Sequence, residues 1–298
     1  MKLGEVLGQR RALSVLVRSL ENGRPAHAYL LHGPESVGKE RAARSFAASL
    51  LCAERIGSDA CGRCRSCERL ARGVHADLSV VLPEDQAIAR GLATKGDFEG
   101  KASSSIRVAT VRELNSWLAS RPVEGTTRVA IVLDAHRMGP EAQNALLKTL
   151  EEPRAGRSLL LVTSAPSALL ATVRSRCQKL RFGTIDPAAM TAILERELGT
   201  DVVPSQVASV VARAAGSVAS ALELARSGGL EPSRFEAPLA ALRPESILAV
   251  LDLAESLSGE RATAAELLDA LADLLARRVH GESDLQGGVI GNLSLIHI

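Results

Sequence analysis

The chain has 298 residues, 46% of them hydrophobic and 23% charged, enough for a full core and two or three domains, which excludes global disorder. Aromatic residues are only 2%, so the core falls to Leu, Val, Ile and Ala, and the composition argues against an aromatic stacking platform for single-stranded nucleic acid. A net charge of +2 neither demands nor excludes a nucleic-acid partner.

The opening residues, MKLGEVLGQRRALSVL, scatter charges and carry no apolar run ending in a small-residue cleavage site, so they do not read as a signal peptide. Residues 5–22 read as a helix, with Val6, Leu7, Leu13, Leu16, Val17 and Leu20 at three- and four-residue spacing. Residues 27–32 read as a short buried strand running into Gly33-Pro34, and residues 39–51 as a second helix. Residues 75–83 are a strand candidate, and residues 84–105, rich in Gly, Ser, Lys and Asp, read as a surface loop. A helix follows over 108–120, and residues 128–133 form a nearly continuous apolar strand, buried on both faces and hence parallel. Pro140 opens a helix over 139–150, and residues 159–163 repeat the buried-strand pattern.

Strand and helix alternate at the lengths of βαβ units, which predicts an α/β domain over residues 1–183 with a parallel sheet covered by helices. From residue 184 the chain is Ala, Leu and Glu rich with helical spacing, in two pieces, 187–224 and 243–280. The tail 287–298 fits neither a helix nor a natural C-terminus; its last six residues, LSLIHI, resemble the translation of a sequencing adaptor, so the native chain is expected to be cut short there. No apolar run reaches 18 residues without charges, so no transmembrane helix and no membrane partner are expected and the chain reads as cytoplasmic.

Gly33-Pro34-Glu35-Ser36-Val37-Gly38-Lys39 lies between a strand and a helix, the context required of the phosphate-binding P-loop. Its glycines let backbone N–H groups wrap a phosphate of ATP or ADP, and Lys39 would meet the outer oxygens. The next position, which takes Ser or Thr to hold Mg²⁺, is Glu40. A carboxylate can ligate magnesium, yet it brings negative charge towards phosphates. The buried strand 128–133 ends in Leu133-Asp134-Ala135-His136, one carboxylate where an acidic pair is wanted; Asp134 either serves a metal or caps the following turn.

Cys52, Cys61, Cys64 and Cys67 follow a C-x8-C-x2-C-x2-C spacing within residues 52–67. Two-residue gaps let thiolates converge on one ion, and four sulfur ligands point to a structural Zn²⁺ with no open position, an iron–sulfur cluster being the chemical alternative. Arg63 and Arg65 would offset the thiolate charge, and Cys177, outside the cluster, reads as a packed residue.

Together the Gly8-Gln9 pair, HAYLLHGP at 27–34, the cysteine spacing, NALLKTLEEP at 144–153 and Ser175-Arg176-Cys177 resemble the AAA+ clamp-loader subunits of bacterial DNA polymerase III, over roughly residues 4–225. The resemblance is closer to the delta-prime branch of that family than to its gamma/tau ATPase branch. It implies an AAA+ domain over 1–183, a helical lid over 184–240 and a partial helical collar over 241–286. It also implies that Arg176 is a trans-acting arginine finger reaching ATP on an adjacent ATPase subunit, and that Thr163 or Ser164 falls at the first sensor position. Its second sensor arginine is replaced by Ala219. The implied partners are the gamma/tau and delta subunits and, through the complex, the sliding clamp and primed DNA. The departures at 40, 133 and 219 imply a helper without intrinsic ATPase activity inside the polymerase holoenzyme. A gamma/tau-like ATPase with Glu40 and Asp134 on magnesium, and a zinc-containing scaffold that binds no nucleotide, stay open as other readings.

Overall fold

The computed structural model describes residues 2–98, 100–199 and 204–226. The expected collar at 241–286, the linker before it and the tail at 287–298 lie outside the described residues.

A 3₁₀ turn, Leu3–Glu5, precedes α1 (Arg10–Glu21), β1 (Ala28–His32), α2 (Lys39–Leu51), α3 (Arg65–Ala71) and β2 (Leu78–Val81). There follow α4 (Glu84–Ala89), α5 (Val108–Ala119), β3 (Arg128–Val132), α6 (Pro140–Glu151), β4 (Arg157–Thr163), α7 (Ala171–Ser175) and β5 (Gln178–Arg181). Three further helices, α8 (Pro187–Leu198), α9 (Pro204–Arg213) and α10 (Val218–Arg226), complete the described chain.

The five strands make one parallel sheet in the order β2-β3-β4-β1-β5. Side chains alternate across a strand, and here the alternation divides the core in two. Tyr29, Leu31, Val129, Ile131, Leu160 and Val162 face α1 and α2, while Ala28, Leu30, Ala130, Val132, Leu159 and Leu161 face α5, α6 and α7. Phe46 of α2 meets Tyr29 edge to face, with ring centroids 5.2 Å apart. Because both faces are covered, β3 is buried along its whole length, which is why residues 129–132 are an unbroken apolar run; the buried Arg128 at its start is paired with Asp77.

Four differences from the expected elements have local causes. The first helix starts at Arg10, not at residue 5, because Gly8 turns the chain at φ +75° and its added Cβ would come within 2.9 Å of Ile185. The segment 84–105 is no plain loop: α4 starts just after Pro83 with two acidic residues in its first turn, a start favoured by the helix dipole. The edge strand β5 carries only one buried side chain, Leu180, among Gln178, Lys179 and Arg181, so no hydrophobic run betrays it. The single helical piece expected over 187–224 is three helices, α8–α10.

From β1 the chain crosses to β2 at the far edge, whereas from β4 it passes over β1 to β5. The carboxyl ends of β1 and β4 therefore flank a topological switch point, where open α/β sheets form a crevice.

Candidate functional site

The crevice is a cavity of about 560 Å³, bounded by Gly38, Lys39, Asp134, Thr163, Arg90 and Ala219 among others. Its floor is the turn between β1 and α2. At Gly33 φ is +144° and a Cβ would lie 2.1 Å from the Phe182 carbonyl oxygen, so no side chain fits there. Ser36 and Gly38 are also left-handed, at φ 54° and 93°, a conformation that Ser adopts at some cost. The loop is braced from outside by Gln9, whose side-chain amide donates to the carbonyls of Val37 (3.2 Å) and Gly183 (2.8 Å) and accepts from the Gly183 N–H (3.1 Å). Gln9 is buried, which explains the Gly8-Gln9 pair: one residue makes the turn, the other ties the loop to Gly183.

Lys39 folds back on the loop and donates to the carbonyl oxygens of Gly33, at 2.8 Å, and of Pro34. Burial lowers its pKa from the ordinary ammonium value, against the opposing pull of Glu35 and Asp134. His32 at the end of β1 is likewise held below the ordinary imidazole value, first by burial and then by Arg181, Lys179 and Lys39. Both shifts oppose positive charge that a phosphate would restore.

Asp134 stands left-handed at φ 49° before the turn Ala135–Arg137 and lines the cavity. Leu133 beside it is 2% exposed and packs in the core. Thr163, at the end of β4, is buried, shares a 3.2 Å hydrogen bond with His136 Nδ1 and accepts from the Ala165 N–H. Ser164 donates to Glu35. The strand ends thus gather Gly38, Lys39, Asp134 and Thr163 round one space, with Gly33 in the turn beneath them.

Glu40 is placed differently from a metal-ligating Ser or Thr. Arg44 Nε meets one of its carboxylate oxygens at 2.8 Å and Arg90 the other at 2.8 Å. With Glu40 taken by two guanidinium groups and Leu133 apolar, the residues present do not fit the magnesium ion that such a loop ordinarily holds. Arg90 was not legible in the sequence, since it lies fifty positions from Glu40; the helical start at Pro83-Glu84-Asp85 was the available signal for the element that carries it.

Arg176 lies away from this cavity. It follows α7, donates to the Thr172 carbonyl at 2.9 Å and pairs with Glu151 at 2.8 Å, with its side chain 35% exposed. Glu151 ends α6, so the NALLKTLEEP segment positions Ser175-Arg176-Cys177. The same helix is locked to α5 through Asn115, which donates to the Ala145 carbonyl and accepts from the Thr149 hydroxyl. Cys177 is buried, and burial pushes its thiol up to about 12, consistent with a packed residue.

The four clustered cysteines converge: their Sγ atoms all lie within 4.8 Å of one another. Cys52 and Cys64 are 3.9 Å apart and Cys61 and Cys67 4.0 Å. Zn–S bonds of about 2.3 Å in a tetrahedron put sulfurs about 3.8 Å apart, so the set can hold a structural Zn²⁺. Backbone N–H groups of Cys61 and Cys64 already point at the sulfurs of Cys52 and Cys61. Burial raises the Cys64 thiol, but the Cys67 and Ala53 N–H groups and the neighbouring thiols outweigh it and bring it to about 6. Arg63 is turned to Glu54, 3.7 Å away, and is strongly exposed. The sequence missed how the knuckle is anchored. Ser66, next to Cys67, donates to the Leu51 carbonyl next to Cys52 and bonds the buried His75 ring at 2.8 Å.

Stripping the metal with a chelator, or Cys64→Ser, is expected to release one equivalent of zinc and to raise amide exchange over residues 52–67 while β3 and β4 stay protected. Unchanged exchange in 52–67 after metal loss would remove the structural role.

Residues 8–186 match the family described as DNA polymerase III, delta subunit. The chain is 35% identical over 226 residues to DNA polymerase III subunit delta' of Bacillus subtilis (strain 168), covering 76% of this chain and 62% of that protein. It is 40% identical over 152 residues to subunit delta' of Pseudomonas aeruginosa, covering 51% and 42%. Against subunit tau of Salmonella typhimurium it is 29% identical over 302 residues, covering 98% and 43%. The chain thus spans less than two thirds of the length of each of these relatives. Among the described residues no helix is long and apolar enough to cross a membrane.

Proposed function

This chain belongs to the DNA polymerase III clamp-loader family of delta-prime, tau and gamma subunits, and from that premise we propose that it is a delta-prime-type helper. In this reading it does not hydrolyse ATP itself but presents Arg176 to the nucleotide of a neighbouring gamma/tau subunit. With gamma/tau and delta subunits it then helps to load the sliding clamp onto primed DNA. The observation that carries the reading is a division of labour. Its own cavity has Glu40 tied to two arginines, Leu133 in place of an acid and Ala219 at its rim, while Arg176 stands elsewhere, at the surface.

A guanidinium suits that role because it stays charged and its fork meets two phosphate oxygens at once. The phosphate loop, intact at Gly33, Gly38 and Lys39, is kept as a cradle that holds nucleotide without turning it over. Residues 184–240, which include α8–α10, act as the lid, and residues 241–286 serve as a partial collar through which the subunit joins its partners.

Reconstitution tests this. Mixed with gamma/tau and delta subunits, the chain is expected to enter the complex and to be required for ATP turnover stimulated by primed DNA and clamp, while the chain alone shows no turnover. Steady-state turnover by the isolated chain that disappears in Lys39→Ala would replace this reading with that of a gamma/tau-like ATPase.

A further inference from the structure

We propose that the phosphate loop of this chain takes a nucleoside diphosphate without Mg²⁺, the place of the metal being filled by the guanidinium of Arg90. The inference rests on the cradle reading above and adds the chemical form of its ligand. It begins with the position after Lys39. A hydroxyl there would hold a divalent ion against the phosphates; Glu40 instead holds two arginines. Arg44 comes from the next turn of the same helix and Arg90 from just beyond α4.

The charge differs accordingly. One carboxylate and two guanidinium groups sum to +1, against +2 for a metal on a neutral hydroxyl, and the positive groups are fixed by the chain. Arg90 lines the same cavity as Gly38 and Lys39 and is half-exposed, with its side chain at 35%. Its Nη1 alone donates to Glu40, and a guanidinium has further donors to spare for a phosphate oxygen. The element that brings it is pinned by ion pairs at its first turn, and the Arg90 N–H closes its last by donating to the Gln86 carbonyl at 3.1 Å. Asp85 in its first turn pairs with Arg137 at 3.0 Å and Glu84 with Arg107 at 3.2 Å. Arg90 is therefore held over the loop and not tethered by Glu40 alone.

The remaining acids set the phosphate number. Glu35 and Asp134 both act on Lys39 electrostatically, and both line the cavity. A third phosphate beyond Lys39 would meet these two carboxylates with no metal to screen them. Two phosphates, one on the loop N–H groups and one between Lys39 and Arg90, use the positive charge available and stop short of the acids.

The test is equilibrium binding of fluorescent ADP and of a fluorescent non-hydrolysable ATP analogue to the full chain, in Mg²⁺ and in EDTA. ADP is expected to bind equally in both, within about twofold, and more tightly than the ATP analogue in EDTA. Arg90→Ala should weaken ADP binding in EDTA about tenfold or more, as loss of a charge-assisted hydrogen bond does, with Arg90→Lys between. Glu40→Ser, which frees Arg90 and supplies a hydroxyl, should make binding depend on Mg²⁺. ADP binding by the parent chain that EDTA abolishes, without turnover, would overturn this inference and leave the helper reading standing; so would an Arg90→Ala chain of unchanged affinity. Turnover of ATP with Mg²⁺ by the isolated chain would overturn both.

Discussion

Replacing Arg176 by Ala is expected to lower the DNA-stimulated ATP turnover of the reconstituted complex about a thousandfold, the scale on which a trans guanidinium stabilises charge at a transferring phosphoryl group. The isolated chain should keep its stability, because the side chain is 35% exposed and its partners are the Thr172 carbonyl and Glu151 at the surface. Arg176→Lys keeps the charge and loses the fork, so it should recover only a small part of the rate. Glu151→Gln would leave Arg176 in place but less firmly aimed, and a several-fold loss in turnover with unchanged assembly is expected. Single-turnover ATP hydrolysis with primed DNA and clamp distinguishes these cases from failure to assemble. Full turnover with Arg176→Ala would sink the finger assignment.

Asp77→Ala is expected to destabilise the domain by about 3–5 kcal/mol, the usual result of stripping one partner from a buried ion pair. Asp77 is fully buried and Arg128 nearly so. The carboxylate accepts from the N–H groups of Val123 (2.8 Å) and Glu124 (2.7 Å) and from Arg128 Nε at 3.1 Å. Arg128 also donates to the Trp117 carbonyl and stacks over the Trp117 ring, 4.6 Å from its centroid. Removing Asp77 leaves a guanidinium in the interior with no counter-charge and two orphaned N–H groups. Burial alone would raise the Asp77 pKa, but the Glu124 and Val123 N–H groups and then Arg128 outweigh it and hold the carboxyl below its ordinary value. A depressed folded pKa means that this stability is fully present above the unfolded value of about 3.9 and disappears as pH falls through the lower folded value. Urea unfolding at neutral pH should show the loss, and the difference between parent and Asp77→Ala should shrink below about pH 4. A neutral-pH difference under about 1 kcal/mol would mean that the pair does not hold this corner of the fold.

What the sequence disclosed follows from burial. Strands β1, β3 and β4 are covered on both faces, so their central residues had to be apolar and were legible. The residues at or just past their carboxyl ends, Thr163, Gly33 and Asp134, could be located with them. The cysteine site was written in one short span, where spacing alone fixes convergence. Strand β5 stayed hidden because an edge strand with one buried side chain looks like any polar stretch. The Asp77–Arg128 pair and the grip of Arg90 on Glu40 stayed hidden for another reason: each joins residues about fifty positions apart, and nothing local marks which acid will meet which base. The Glu40 departure could be read; its two partners could not.

The left-handed Ser36 has one more bond to its name. Its carbonyl accepts from the N–H of Val218 at 2.9 Å, at the first residue of α10, while Gln9 ties Val37 on the same turn to Gly183 at the root of the helical segment. A turn of backbone thus serves as a latch plate. A flip of the Ser36 peptide would withdraw the acceptor from the first residue of α10, so loop and helix share one main-chain bond beside the Gln9 tie.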